Sequence, residues 1–107
     1  MAAVNLNFEN FHKHLNEGTA FLVDYWAPWC SYCRRIAPAY EKVAEEYEGQ
    51  LIVSKINIDE EPLLAHQEHI EVIPTLVLYQ GGQAVASIVA PESKAAIENF
   101  IEEHLGK

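Results

Sequence analysis

The sequence predicts an α/β fold, a mixed β-sheet with helices on both faces. Two nearly unbroken apolar runs, AFLVDYWA (20–27) and LIVSKINI (51–58), read as strands covered on both sides, and residues at helical spacing follow the first. Between the strand-like segments TLVLY and QAVASIV stands a glycine pair, Gly81 and Gly82, which readily supplies the positive φ angles of a tight hairpin. Strand–helix–strand connections demand parallel neighbours and the hairpin demands an antiparallel pair, so the sheet must be mixed.

Each element has its own signal. After a short apolar alternation at Val4 to Leu6, Asn7 can cap a helix that carries Phe8, Phe11 and Leu15 on one face, and Gly18 stops it. The strand at 20–27 has one polar exception, Asp24. From Cys33, the positions Ile36, Tyr40, Val43, Ala44 and Tyr47 keep helical spacing up to Gly49, and Pro38 should kink that helix. The strand at 51–58 holds Lys55 within it, and Pro62 suits the first turn of a helix running through His69. Ser93 can cap a last helix with an apolar stripe of Ile97, Phe100, Ile101 and Leu105. The predicted order is β-α-β-α-β-α-β-β-α.

Composition narrows the function. A chain of 107 residues fits one domain over 1–107, and its 50% hydrophobic content is enough for one core. The net charge of -9 repels phosphate backbones and anionic lipid, which argues against nucleic acid and membrane surfaces as partners. The N-terminus MAAVNLNFEN has neither a basic region nor an apolar run, so no export signal is expected, and no window approaches a membrane span. Two cysteines are too few for a disulfide scaffold, and a lone C-x-x-C in such a chain reads as redox-active in a reducing compartment.

The pair is Cys30 and Cys33, within WAPWCSYCRRIAP (26–38). A strand entering a helix N-terminus puts Cys30 where unpaired N–H groups and the positive helix end favour a thiolate, whose pKa falls from about 8.5 to roughly 3.5–7.5 in such places. Cys33, one turn on, is spaced to close a disulfide. Cys30 would attack a substrate disulfide and Cys33 would resolve the mixed disulfide. Asp24, in a buried strand where its pKa rises, is the candidate proton acceptor for Cys33, with Lys55 as its partner; the other reading makes Asp24 a structural polar residue and Lys55 a snorkelling one. A zinc site would need four ligands. The five histidines, His12, His14, His66, His69 and His104, do not converge on the cysteines and read as solvated helix-face residues, so no metal is expected.

VDYWAPWCSYCRRIAP, then KINID, then VIPT, then GG resembles the thioredoxin family over nearly the whole chain. The resemblance implies a thioredoxin fold, a five-stranded mixed sheet flanked by four helices. It implies Cys30 as nucleophile, Cys33 as resolving thiol, Asp24 beneath Cys33 with Lys55 nearby, Trp26 and Trp29 beside the site, and Pro38 as a helix kink. It also implies a cis bond before Pro74, which would leave the Ile73 backbone free to pair with an extended substrate segment.

Several residues depart from the family pattern. Ser31 and Tyr32 stand where Gly-Pro is common, Val72 stands where a small residue is usual before Ile-Pro, and Ala90 stands in a glycine position. Glu68 and His69 replace an aromatic–glycine pair. Tyr32, Val72 and Ala90 enlarge side chains on the substrate-binding surface, and the expectation drawn from them is a narrowed partner set; the neutral reading turns those side chains to solvent. Loss of the proline, with help from Arg34 and Arg35, should move the potential upward from about -270 mV.

The function expected is a cytoplasmic, monomeric thiol–disulfide oxidoreductase that reduces protein disulfides. Its reductant would be a thioredoxin reductase or another dithiol donor, and it would need no cofactor beyond the Cys30–Cys33 disulfide. The alternatives are a more oxidising oxidase or isomerase, and a binding subunit in which the thiols are incidental.

Overall fold

The structure, a computed structural model, describes residues 2–105. Its elements are β1 (Val4–Asn5), α1 (Phe8–Glu17), β2 (Phe21–Trp26), α2 (Ser31–Glu46), β3 (Ile52–Asn57), α3 (Pro62–Gln67), β4 (Thr75–Gln80), β5 (Gln83–Val89) and α4 (Lys94–His104). The order matches the one predicted. Five strands form one sheet in the order β1-β3-β2-β4-β5. β2 pairs parallel with β3 and antiparallel with β4, and β4 pairs antiparallel with β5.

Local chemistry sets the boundaries. Asn7 and Asn10 form a reciprocal capping box at the start of α1, and Gly18 ends that helix at φ 73. Ser93 caps α4 by accepting from the Ala96 N–H. α2 starts two residues before Cys33, because Cys30 itself is the cap. α3 stops at Gln67, short of the predicted His69, which lies beyond the helix at φ 60 and is therefore not a helix-face residue. His14, also read as solvated, is half-buried, and its Nδ1 has no hydrogen-bond partner. Pro38 sits inside α2, where it has no N–H to offer the Arg34 carbonyl.

Strand alternation divides the core into two layers. Phe21, Val23 and Tyr25 of β2 face a cluster with Phe11, Leu64 and Tyr79, under α1 and α3. Leu22 faces the other way, into a cluster with Ile36, Tyr40, Val43, Ile97 and Phe100, under α2 and α4. Asp24 shares the parity of Leu22 and so points toward α2. Lys55 has the parity of Val53 and stands opposite Asp24 in the register of β2 and β3.

His69 and Ala90, where the resemblance leads one to expect glycine, are the two non-glycine residues with positive φ among those described, at 60° and 48°. Each holds a side chain in the left-handed region at a cost of about 1 kcal/mol. Glu68 also has a structural account. Its Oε1 accepts from the Tyr79 hydroxyl at 2.8 Å, and the buried Tyr25 and Tyr79 hydroxyls lie 2.7 Å apart. Since Tyr79 donates its only proton to Glu68, Tyr25 must donate to Tyr79. Burial pushes both phenols above their usual range.

Candidate active site

Cys30 occupies the cap of α2 with extended backbone (φ -87°, ψ 110°), and its Sγ accepts the Cys33 N–H at 3.2 Å. The two cysteines form a disulfide with Cα atoms 5.2 Å apart. Their exposures differ: Cys30 is half-buried and Cys33 is 3% exposed. The helix start thus presents one sulfur outward and keeps the other inside. The bond before Pro74 is cis, and the Ile73 carbonyl oxygen lies 4.0 Å from Cys30 Sγ. A disulfide sulfur has no proton to donate, so this is a packing contact that holds the Ile73–Pro74 loop against the cysteine turn.

Behind Cys33 is a cavity of about 70 Å³ lined by Asp24, Trp26, Ala37, Tyr40, Glu41 and Lys55 together with both Cys33 and Arg34. That is room enough for water. Asp24 is 3% exposed and its Oδ1 has no hydrogen-bond partner. Burial pushes its carboxyl up to about 7, against the pull of the Lys55 ammonium. The nearest ion-pair partner of Lys55 is a different carboxylate: its Nζ lies 3.7 Å from Glu41 Oε2, and 5.0 Å from the centre of the Trp26 ring. Lys55 therefore acts on Asp24 through space. Tyr40 closes the cavity with its hydroxyl donated to the Ser54 carbonyl at 2.6 Å.

Sequence reasoning missed Glu41. Counting i, i+4 and i+8 from Cys33 along α2 gives Ala37 and Glu41, and both line the cavity, so helical spacing was the available signal. It also missed Asp59, whose carboxylate accepts from the indole N–H of Trp29 at 3.1 and 3.2 Å. Trp29 itself is 64% exposed. Asp59 ends the KINID motif of the resemblance, which gave it no role of its own.

Of the departures from the family pattern, Tyr32 lies in the cysteine turn itself. Tyr32 is half-buried, and its hydroxyl donates to the Pro91 carbonyl at 2.9 Å, fastening the cysteine turn to the loop after β5. The Arg35 guanidinium lies 5.9 Å from the Tyr32 ring centre, while Arg34 donates to the Pro28 carbonyl at 2.8 Å. Val72 is 52% exposed, beside Ile73. Removing the Tyr32 hydroxyl by Tyr32→Phe should cost about 1 kcal/mol of stability, the worth of one such hydrogen bond, read as a lower urea midpoint with an unchanged slope.

Comparison with known proteins places this geometry. The sequence model of the thioredoxin family matches residues 2–103. The chain belongs to the thioredoxin family. It is 43% identical over 105 residues to Thioredoxin 1 of Nostoc sp., covering 97% of this chain and 98% of that one. It is also 39% identical to a thioredoxin of Chlorobaculum thiosulfatiphilum, over 97% of this chain and 94% of the relative, and 38% identical to the thioredoxin of Buchnera aphidicola, over 95% of each. With the Cys30–Cys33 pair at bonding distance, this thioredoxin-family chain is a thiol–disulfide oxidoreductase.

Proposed function

We propose that this thioredoxin-family protein works in the reducing direction, as a protein-disulfide reductase. The observation that carries this reading is the asymmetry of the pair: an accessible Cys30 at the helix cap, and an enclosed Cys33 that shares a cavity with Asp24. Reduced Cys30 attacks a substrate disulfide as the thiolate. One substrate sulfur leaves and takes up a proton, while the other stays bonded to Cys30. Asp24, poised near neutral pH, accepts the Cys33 proton through the cavity, with Lys55 and Glu41 setting the local charge. Cys33 then attacks Cys30 Sγ, and the substrate departs as a dithiol, leaving Cys30–Cys33 oxidised.

The Ile73 main chain before Pro74 pairs with an extended substrate segment, while Trp29, Tyr32, Val72 and Ala90 border it and Trp26 and Pro38 support it. The partners are protein disulfides and, for recycling, a thioredoxin reductase or other dithiol donor, with the protein acting as a monomer in the cytoplasm as one domain and without a metal. Insulin reduction driven by dithiothreitol tests the reading: the wild-type chain should precipitate insulin well ahead of dithiothreitol alone, and no acceleration would reject it. In the same assay a Tyr32→Pro, Val72→Gly, Ala90→Gly triple variant should be faster if the larger side chains restrict partners; equal rates would remove that restriction from the account.

A further inference from the structure

The sheet's α1 and α3 side is incompletely covered. α3 is only six residues long and ends at Gln67, leaving the outer end of β4 and β5 without a helix above it. A groove of about 480 Å³ lies there, between the segment 68–72 and β5. Its floor is Val77, and β5 lines it with Ala84 to Ser87 and Val89, a bulge opposite Leu78 and Tyr79 breaking the strand's alternation at Val85. Val72, Val85 and Val89 are 52%, 42% and 54% exposed, an apolar row that monomeric surfaces seldom leave uncovered without use.

Glu68 and Glu71 line the groove together with His69, and among the described residues no lysine or arginine lines it. One end opens at Val72, the residue before Ile73, whose carbonyl lies 4.0 Å from Cys30 Sγ. The groove's Val72, Thr75 and Val89 end borders the Ile73–Pro74 bond, where the Ala90 N–H donates to the Pro74 carbonyl at 2.9 Å. A second copy of this chain is a poor occupant, because at net charge -9 it would be repelled from an acidic rim.

We propose that this groove is an extended substrate subsite, which takes a segment of the substrate protein carrying an aliphatic side chain next to a lysine or arginine. The inference rests on the reductase reading above. The aliphatic group lies against Val77, Val85 and Val89, and the cation meets Glu71. Val85 and Val89 are four positions apart, about 13 Å of strand, so a substrate strand that enters at the Val89 end reaches Val85 roughly four residues further on.

The test uses synthetic peptide disulfides with Leu-Lys or Leu-Glu placed three to four residues from the cysteine, on its N-terminal side in one pair and its C-terminal side in another. Rates are referred in each case to hydroxyethyl disulfide, which is too short to reach the groove. On one side, the Leu-Lys peptide should show kcat/KM higher than Leu-Glu by up to about fivefold at low salt, mainly through KM. The preference should vanish in 0.5 M salt, by about the screening expected, and in Glu71→Gln and Val85→Lys. Equal rates for all peptides, or a preference that survives both substitutions, would overturn the subsite while leaving the reductase reading intact. Failure to reduce any disulfide would instead remove that reading. Concentration-dependent dimerisation abolished by Val85→Lys would assign the groove to a second copy and also overturn the proposal.

Discussion

Cys30→Ser should abolish turnover outright, whereas Cys33→Ser should arrest the reaction halfway, at a covalent complex. The difference follows from where the two sulfurs sit. Cys30 is the accessible one, at the helix cap with the Cys33 N–H pointed at it from 3.2 Å. A serine there is far too weakly acidic to attack a disulfide. Cys33 is enclosed, so its loss leaves the first attack intact and removes only the group that expels the substrate. Incubation with a disulfide-bearing protein should therefore give a dithiothreitol-sensitive adduct with Cys33→Ser on a non-reducing gel, and none with Cys30→Ser. An adduct from Cys30→Ser and none from Cys33→Ser would reverse the assignment of nucleophile and resolving thiol, and equal yields would remove it. A binding role independent of the thiols would survive both changes, which separates it from exchange chemistry.

Asp24→Asn should make the protein more stable and slower at the same time. Burial raises the Asp24 carboxyl from 3.8 to about 7. Between those values the folded chain holds a proton that the unfolded chain has released, so unfolding free energy falls as pH rises through that window and levels off above it. At about 1.4 kcal/mol per pH unit, the loss by pH 8 is on the order of 4 kcal/mol. Asparagine has no proton to lose. The variant should match the wild type near pH 3.5 and exceed it by roughly 2 to 4 kcal/mol at pH 8 in urea unfolding, with the gap opening between pH 4 and 7. Its resolving step should slow near pH 7, since the Cys33 proton loses its acceptor, with general-base contributions running at about 10²–10⁴-fold. A stability gap independent of pH would show that Asp24 is ionised at its ordinary value, and an unchanged rate would return it to the structural role.

Much of this was legible beforehand because the signals were local. Alternation in 20–27, the caps at Asn7 and Ser93, and the glycine pair at 81–82 each depend on a few neighbouring residues, and the corresponding elements formed as expected. The single polar residue in that apolar run, Asp24, was visible for the same reason. The cis bond before Pro74 was implied only by resemblance, since nothing in the residues themselves distinguishes it. What stayed hidden were pairings across the fold. Asp59 meets Trp29 from 30 positions away, Tyr32 meets Pro91 from 59, and Glu41 meets Lys55 across α2 and β3. No short-range pattern encodes those distances. Helix ends were the other weak point: α3 ends early because the chain turns into left-handed backbone at His69, a residue that tolerates that region better than most but does not advertise it.

The Tyr25–Tyr79–Glu68 chain bears on how such a sequence can be reached. Each hydroxyl is held by the next group along, so the three residues form a single unit rather than three independent choices. Exchanging Glu68 for an aromatic residue would leave one hydroxyl proton of the tyrosine pair unpaired in a buried setting, while exchanging Tyr79 for phenylalanine would strand Tyr25 and leave Glu68 only its Gln67 donor. Every single step away from the trio is uphill, though its joint replacement by apolar residues need not be. The unusual helix end at Glu68 is thus tied by epistasis to two tyrosines in the middle of the sheet, and a lineage carrying one of them is constrained in which neighbour it can change first.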